Sequence, residues 1–149
     1  MRKGSRPDLR PVTAKSVDEL EGFAPPAGGA PEPVRRARRV PVGELSAGDA
    51  LLLLRRGHAP RYVLPRALEL LEADPWLWAD DHDGDLLVEA LDTDPAQWPP
   101  GPEWRARLVA LARAALAAAV ARYDFERRPD AERRVRDAAQ RLGPDAAAG

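Results

Sequence analysis

The leucine and alanine runs of this chain follow helix-start residues, and several end at a glycine or a proline, while strand-like alternation is almost absent. In ELSAGDALLLLRRG, Ser46 is placed to cap, Asp49 falls in the first turn and Gly57 is the stop. In YVLPRALELLEADP, Pro65 suits a first-turn position, which predicts a helix from near Leu64. Leu64, Leu68 and Leu71 would form its apolar face, and Asp74-Pro75 would end it. LLVEAL reads as a further helix capped by Asp83 or Asp85. DPAQWPPGPEW holds at most one turn. Pro102 then opens the longest helix, roughly 102–124, with Trp104, Leu108, Leu111 and Ala115 on one stripe. Pro129, Asp130 and Glu132 start a last helix that stops at Gly143-Pro144. Near the beginning, SVDELEG offers Ser16 and Glu19 as a capping box on a very short helix.

These signals predict an all-α protein: one compact bundle of about 5–7 helices with irregular, Pro-rich connections. Residues 1–33 are expected to be a flexible segment with one short helix near 16–22 and a Pro/Gly linker. Residues 34–142 would form the helical domain, and 143–149 a disordered tail. The absence of cysteine excludes a disulfide framework and any thiolate metal site. MRKGSRPDLR lacks an apolar signal core, and the apolar run 108–121 carries Arg113 and is too short to span a bilayer. The expected location is therefore the cytoplasm, with no membrane contact.

The formal net charge of −1 conceals a sharp segregation. Residues 1–66 hold 13 Lys/Arg against 7 Asp/Glu, and residues 105–149 hold 10 against 6. Residues 67–104 hold 11 Asp/Glu and no Lys or Arg. A stretch of that kind predicts a strongly negative face. Its densest part is WADDHDGD, in which Asp80, Asp81, Asp83 and Asp85 surround His82 and Gly84.

Metal binding fits that cluster poorly. With Gly84 at position 6 of a calcium loop, the first ligand position is Ala79 and the bidentate position 12 is Ala90. Zinc would need more than His58 and His82, which form no ligand pair. A hydrolytic site would need a nucleophile beside His82, and no serine, threonine or cysteine motif lies nearby. No catalytic residue, metal ligand or cofactor is therefore assigned. The plainer alternative is that Asp85 caps a helix, Leu86, Leu87 and Leu91 fill a core, and the other aspartates are merely solvated. Single-sign crowding at Asp80, Asp81 and Asp83 nonetheless costs self-repulsion. Trp76 and Trp78, which flank the loop, stand between core filler and interface anchor. The basic run RRARR at 35–39 reads as a polar helix face or linker; direct nucleic-acid binding lacks a supporting motif, and the acidic segment would repel phosphate.

The order ELSAGDALLLLRRGHAPRYVLPRALELLEADPW, DGDLLVEAL and then Trp98 resembles the immunity proteins of contact-dependent growth inhibition systems. The matching positions are Tyr62, Pro65, Ala67, Leu68, Glu69, Leu71, Pro75, Gly84, Asp85, Leu86, Leu87, Leu91 and Trp98, with the Ser-x-x-Glu-Leu-Glu start at Ser16. Ala59, Pro60 and Arg66 stand where that pattern has glycine, leucine and leucine, departures that bear on packing near residues 58–66. The resemblance implies a small helical inhibitor, without catalysis of its own, that binds a cognate toxin domain one to one. Many such toxins are nucleases, some of them ribonuclease-like. A nuclease cleft is basic, so carboxylates can stand in for phosphates. The expected contacts are then Asp80, Asp81, Asp83 and Glu89 by charge, with Trp76 and Trp78 as anchors and Gly84 and Asp85 shaping the loop. The alternative is a helical regulatory or adaptor domain that binds some other basic protein.

Overall fold

The computed structural model describes residues 8–24, 29–121 and 129–147. Among them the structure is all-α. Eight α-helical segments run in order: α1 (Val17–Leu20), α2 (Glu32–Ala37), α3 (Ala47–Arg55), α4 (Pro60–Ala73), α5 (Asp85–Leu91), α6 (Glu103–Ala121), α7 (Pro129–Leu142) and α8 (Pro144–Ala147). Three 3-10 turns, at Val12–Ala14, Val42–Glu44 and Pro95–Gln97, fill the connections. No strand forms among the described residues, only isolated bridges between Ser16 and Pro41 and between Trp78 and Asp83.

Local sequence chemistry fixes most boundaries. Ser16 accepts from the Glu19 amide while Glu19 reaches back to the Ser16 amide, the reciprocal capping box expected there. Ser46 accepts from the Asp49 amide at 3.1 Å and starts α3. Gly57, at φ 72°, ends it: the next amide, His58, bonds back to Leu53 O at 2.8 Å. The stripe Trp104, Leu108, Leu111, Ala115 faces inward from α6, as its spacing predicts. The last three residues of the range expected for this helix, 122–124, lie outside the described residues, as do 1–7, 25–28 and 148–149 of the expected flexible ends and linker.

Two expectations are corrected. α4 starts at Pro60, not near Leu64, so Pro65 lies inside the helix. Pro60 also suits a first-turn position, and its N-cap Ala59 turns into the left-handed region at φ 49° without a side-chain cap. The reward is burial of Val63 and Leu64 one turn earlier. The second correction concerns α5, whose N-cap is Gly84 at φ 78° with no capping side chain; neither Asp83 nor Asp85 plays that part. One short helix appears beyond those read from the sequence, and for the basic run the helix alternative holds in part. α2 runs into RRARR, and α8 lies within the stretch expected to be a tail, with Ala146 buried and Asp145 paired to Arg105 at 2.8 Å.

The short α5 is the hub. It packs against α3, α4, α6 and α7, and Leu86, Leu87 and Ala90 are fully buried. Leu51, Leu53, Leu64, Leu68, Leu71, Leu108 and Leu116 close around it. Ala112, Ala115 and Ala119 let other elements approach the α6 backbone closely: Trp76 Nε1 donates to Ala115 O at 2.9 Å. Val17 belongs to the same core, and a buried arginine ties its helix down. Arg38, 3 % exposed, donates to Asp18 at 2.8 Å, to Glu21, and from Nη1 to His58 Nδ1 at 2.9 Å. No helix of the described residues is long and apolar enough to cross a membrane.

Candidate functional site at the acidic loop

Residues 76–85 join α4 to the hub helix, and one carboxylate organises them. Asp85, at the first position of α5, is 2 % exposed. Its Oδ1 accepts from the amides of Ala79 (2.9 Å) and Leu86 (2.8 Å), and its Oδ2 from those of Asp80 and Asp81 (both 2.8 Å). Burial alone would raise its pKa. The amides of Ala79, Asp81, Asp80 and Leu86 outweigh burial and hold it below the ordinary carboxylate value. The positive end of α5 acts in the same direction. The loop thus wraps an anion that the chain itself supplies, and the side chains of Asp80 and Asp81 are left exposed.

Gly84 is required at the join. A Cβ there would sit 3.0 Å from the Trp76 ring, and its φ of 78° disfavours any other residue. Trp76 itself is 6 % exposed and fully engaged in the core, so it is no free anchor, contrary to one of its two sequence assignments. Trp78 differs. It is 57 % exposed, paired with Asp83 in the bridge, and its Nε1 donates to Asp80 O at 3.0 Å. Asp83 is half-buried, and its carbonyl oxygen accepts from His82 Nδ1 at 2.9 Å. Leu86 and Leu87 are core; Trp98 donates to Thr93 O at 3.2 Å and ties down the turn after α5. Tyr62 and Pro65, both partly buried, line a surface cavity of about 300 Å³, and Tyr62 also packs against the core.

The carboxylates of 67–104 do not form one bare face. Asp81 pairs with Arg55 at 2.9 Å, Glu69 with Arg66 at 3.3 Å, Glu72 with Arg107, and Asp92 with Arg141 through two bonds of 2.9 Å. The carboxylates from the loop to the end of α5 follow one another as a strip in which Asp81 and Asp92 are already paired with arginine. Asp80 and Asp81 stand at one end, and Arg55 lies close enough to influence both Asp81 and Glu89. Glu89, Asp92 and Asp94 then line a cavity of about 260 Å³ beside Leu54, Gly57 and Pro60. Glu89 is half-buried there; burial raises its pKa above the usual glutamate value, Arg55 opposes that and Asp92 adds to it. Arg66 is a local i,i+3 partner within α4, whereas Arg55, Arg107 and Arg141 come from α3, α6 and α7 at sequence separations of 26, 35 and 49 residues, and no local pattern announces those three. Among the described residues no group of three or more His, Cys, Asp or Glu could hold a metal ion.

A short connection into a buried hub helix, preceded by an anion-centred loop, is the arrangement over which a family comparison succeeds. The family model described as CDI immunity proteins matches residues 30–108, from just before α2 into the first turns of α6. The chain belongs to the CDI immunity proteins. Members of this family are toxin-neutralising proteins and generally not enzymes. For this CDI immunity protein, the matched span contains the acidic loop and the whole of α5, while α7 and α8 lie beyond it. No curated protein and no solved structure matches the chain.

Proposed function

We propose that this protein neutralises a basic nuclease toxin, of the ribonuclease-like kind, by presenting the Asp80–Asp81–Glu89 strip as a substitute polyanion. The observation that carries the reading is the Asp85-centred loop, which holds Asp80 and Asp81 exposed on a backbone already fixed by four amide bonds. A contact surface fixed beforehand loses little entropy on binding. Carboxylates concentrated within 67–104 would draw a cationic partner in, with association approaching roughly 10⁸ M⁻¹s⁻¹ at low salt. One inhibitor binds one toxin domain, in the cytoplasm of the cell that makes both, and residues 34–142 carry the function. Asp83 shares the charge contact from its half-buried position.

The test uses the toxin domain encoded beside this gene. Changing Asp80, Asp81 and Asp83 together to lysine should slow association at least tenfold, flatten its dependence on salt and weaken protection, with helicity intact. Undiminished neutralisation by the folded triple variant rules the reading out.

A further inference from the structure

The surface cavity beside Tyr62 has walls of a different chemistry from the acidic strip. About 300 Å³ in volume, it is closed mainly by Val12, Val42, Tyr62, Pro65, Pro99 and Pro100. Two of the 3-10 turns, the start of α4 and the Pro99-Pro100 stretch before α6 meet there. The two turns can approach because residue 43 is glycine: a Cβ there would lie 2.9 Å from Thr13 Cβ. The Val42 amide donates to Lys15 O at 2.9 Å and ties them together. The walls are thus set before any partner arrives. Val12 is nevertheless 50 % exposed, and Leu9, three residues earlier, 88 %. Apolar side chains left in water around an apolar hollow mark a contact surface.

The charged groups of the lining are Arg61, Arg66 and Glu69. Arg66 is occupied, since it donates to Leu45 O at 3.0 Å and pairs with Glu69. Arg61 pairs with no carboxylate among the described residues; its guanidinium lies over the Tyr62 ring, 5.8 Å from the centroid. Arg61 and Pro100 also line a neighbouring cavity with Gln97 and Trp98, and Gln97 in turn lines the cavity of Glu89 and Asp94. One face therefore runs from the anionic strip, past the cationic Arg61, to the apolar hollow.

That order of charge selects the occupant. A lysine or arginine would be repelled by Arg61 and would find Glu69 already taken. A carboxylate pushed into the hollow would be buried against hydrocarbon, which is costly. An aliphatic or aromatic side chain suits the walls, and a carboxylate beside it in the partner's chain answers Arg61 at the mouth. Exposed charges such as the strip speed association more than they hold a complex, and retention falls to a few buried anchors.

We propose that this cavity holds an aliphatic or aromatic side chain of the toxin, next to a toxin carboxylate paired with Arg61. The assignment rests on the toxin-binding reading above and supplies the anchor that a charged strip lacks.

The experiment measures association and dissociation of the full chain and the neighbouring toxin domain separately, at about 0.15 M and about 0.5 M salt. V12N changes an exposed wall residue without changing charge, and its melting curve checks the fold. Its dissociation should be at least fivefold faster at both salt concentrations, with association within twofold of the natural protein. R61E, also at an exposed position, should dissociate at least threefold faster at the lower salt, with R61K between. Unchanged dissociation in either variant overturns the proposal. If that result accompanies slowed association in the Asp80–Asp81–Asp83 lysine variant, the groove is wrong and the acidic strip stands. If the lysine variant associates normally while V12N and R61E dissociate faster, the strip is wrong and the anchor survives. Should sedimentation show a dimer that V12N dissolves, the cavity belongs to a second copy of this chain and the proposal falls.

Discussion

Arg38 Nη1 lies 2.9 Å from Nδ1 of His58, and a guanidinium can only donate, so this imidazole is neutral with its proton on Nε2. Burial first, and then the Arg38 charge, depress its pKa below the ordinary 6.5, with Glu21 opposing and Arg56 assisting. The unfolded chain therefore binds a proton that the folded one resists. Stability conferred by this contact is complete above the ordinary histidine value and is lost as pH falls through the depressed one. The melting temperature should drop between about pH 7 and pH 5. In H58Q, which keeps an acceptor for Arg38 but cannot charge, the drop should be smaller. Parallel curves for the two proteins would show that His58 contributes nothing to it.

The bond set of Asp85 is costly to lose. D85A leaves four loop and helix amides without their acceptor and should destabilise by about 2–4 kcal/mol in urea titration. D85N retains the shape but turns an NH₂ towards amide donors, so it should recover less than half of that loss. Faster amide exchange at Asp80 and Asp81 is expected in both variants.

At Gly84 the backbone and the neighbouring ring act together. G84A forces an alanine to φ 78° and presses its Cβ to 3.0 Å from Trp76. The strain and the displaced ring should cost about 2 kcal/mol or more and shift the fluorescence of the core tryptophan.

Ala59 gives the opposite sign. It holds φ 49° at the start of α4, where the related pattern carries glycine. A59G removes the left-handed penalty but loosens the unfolded chain, and the first effect is the larger. A gain of about 0.5–1 kcal/mol is expected by chemical denaturation. A loss would mean that the Ala59 methyl packs more usefully than its partial burial against the core suggests.

The contrast between these positions shows what the sequence discloses. Ser16, Ser46, Gly57 and the α6 stripe were legible because their partners lie within one or two turns. Pro65 misled because two prolines five residues apart both suit a helix start, and only burial of Val63 and Leu64 decides for Pro60. Asp85 sits beside a helix start and looks like a cap, whereas its acceptors serve a loop that curls back over it. The acidic stretch was visible in composition, but its partial neutralisation by Arg55, Arg107 and Arg141 depends on helix packing that no local spacing encodes. Trp76 and Trp78 were indistinguishable by neighbourhood; contact with Ala115, 39 residues on, separates them.

The inward carboxylate of Asp85 divides the loop into chassis and fittings. The backbone course is set from within, so residues at Asp80 and Asp81 can be exchanged without rebuilding what holds them. On the proposed reading, a lineage facing a new toxin redraws its recognition chemistry by single substitutions while the scaffold beneath stays as it is.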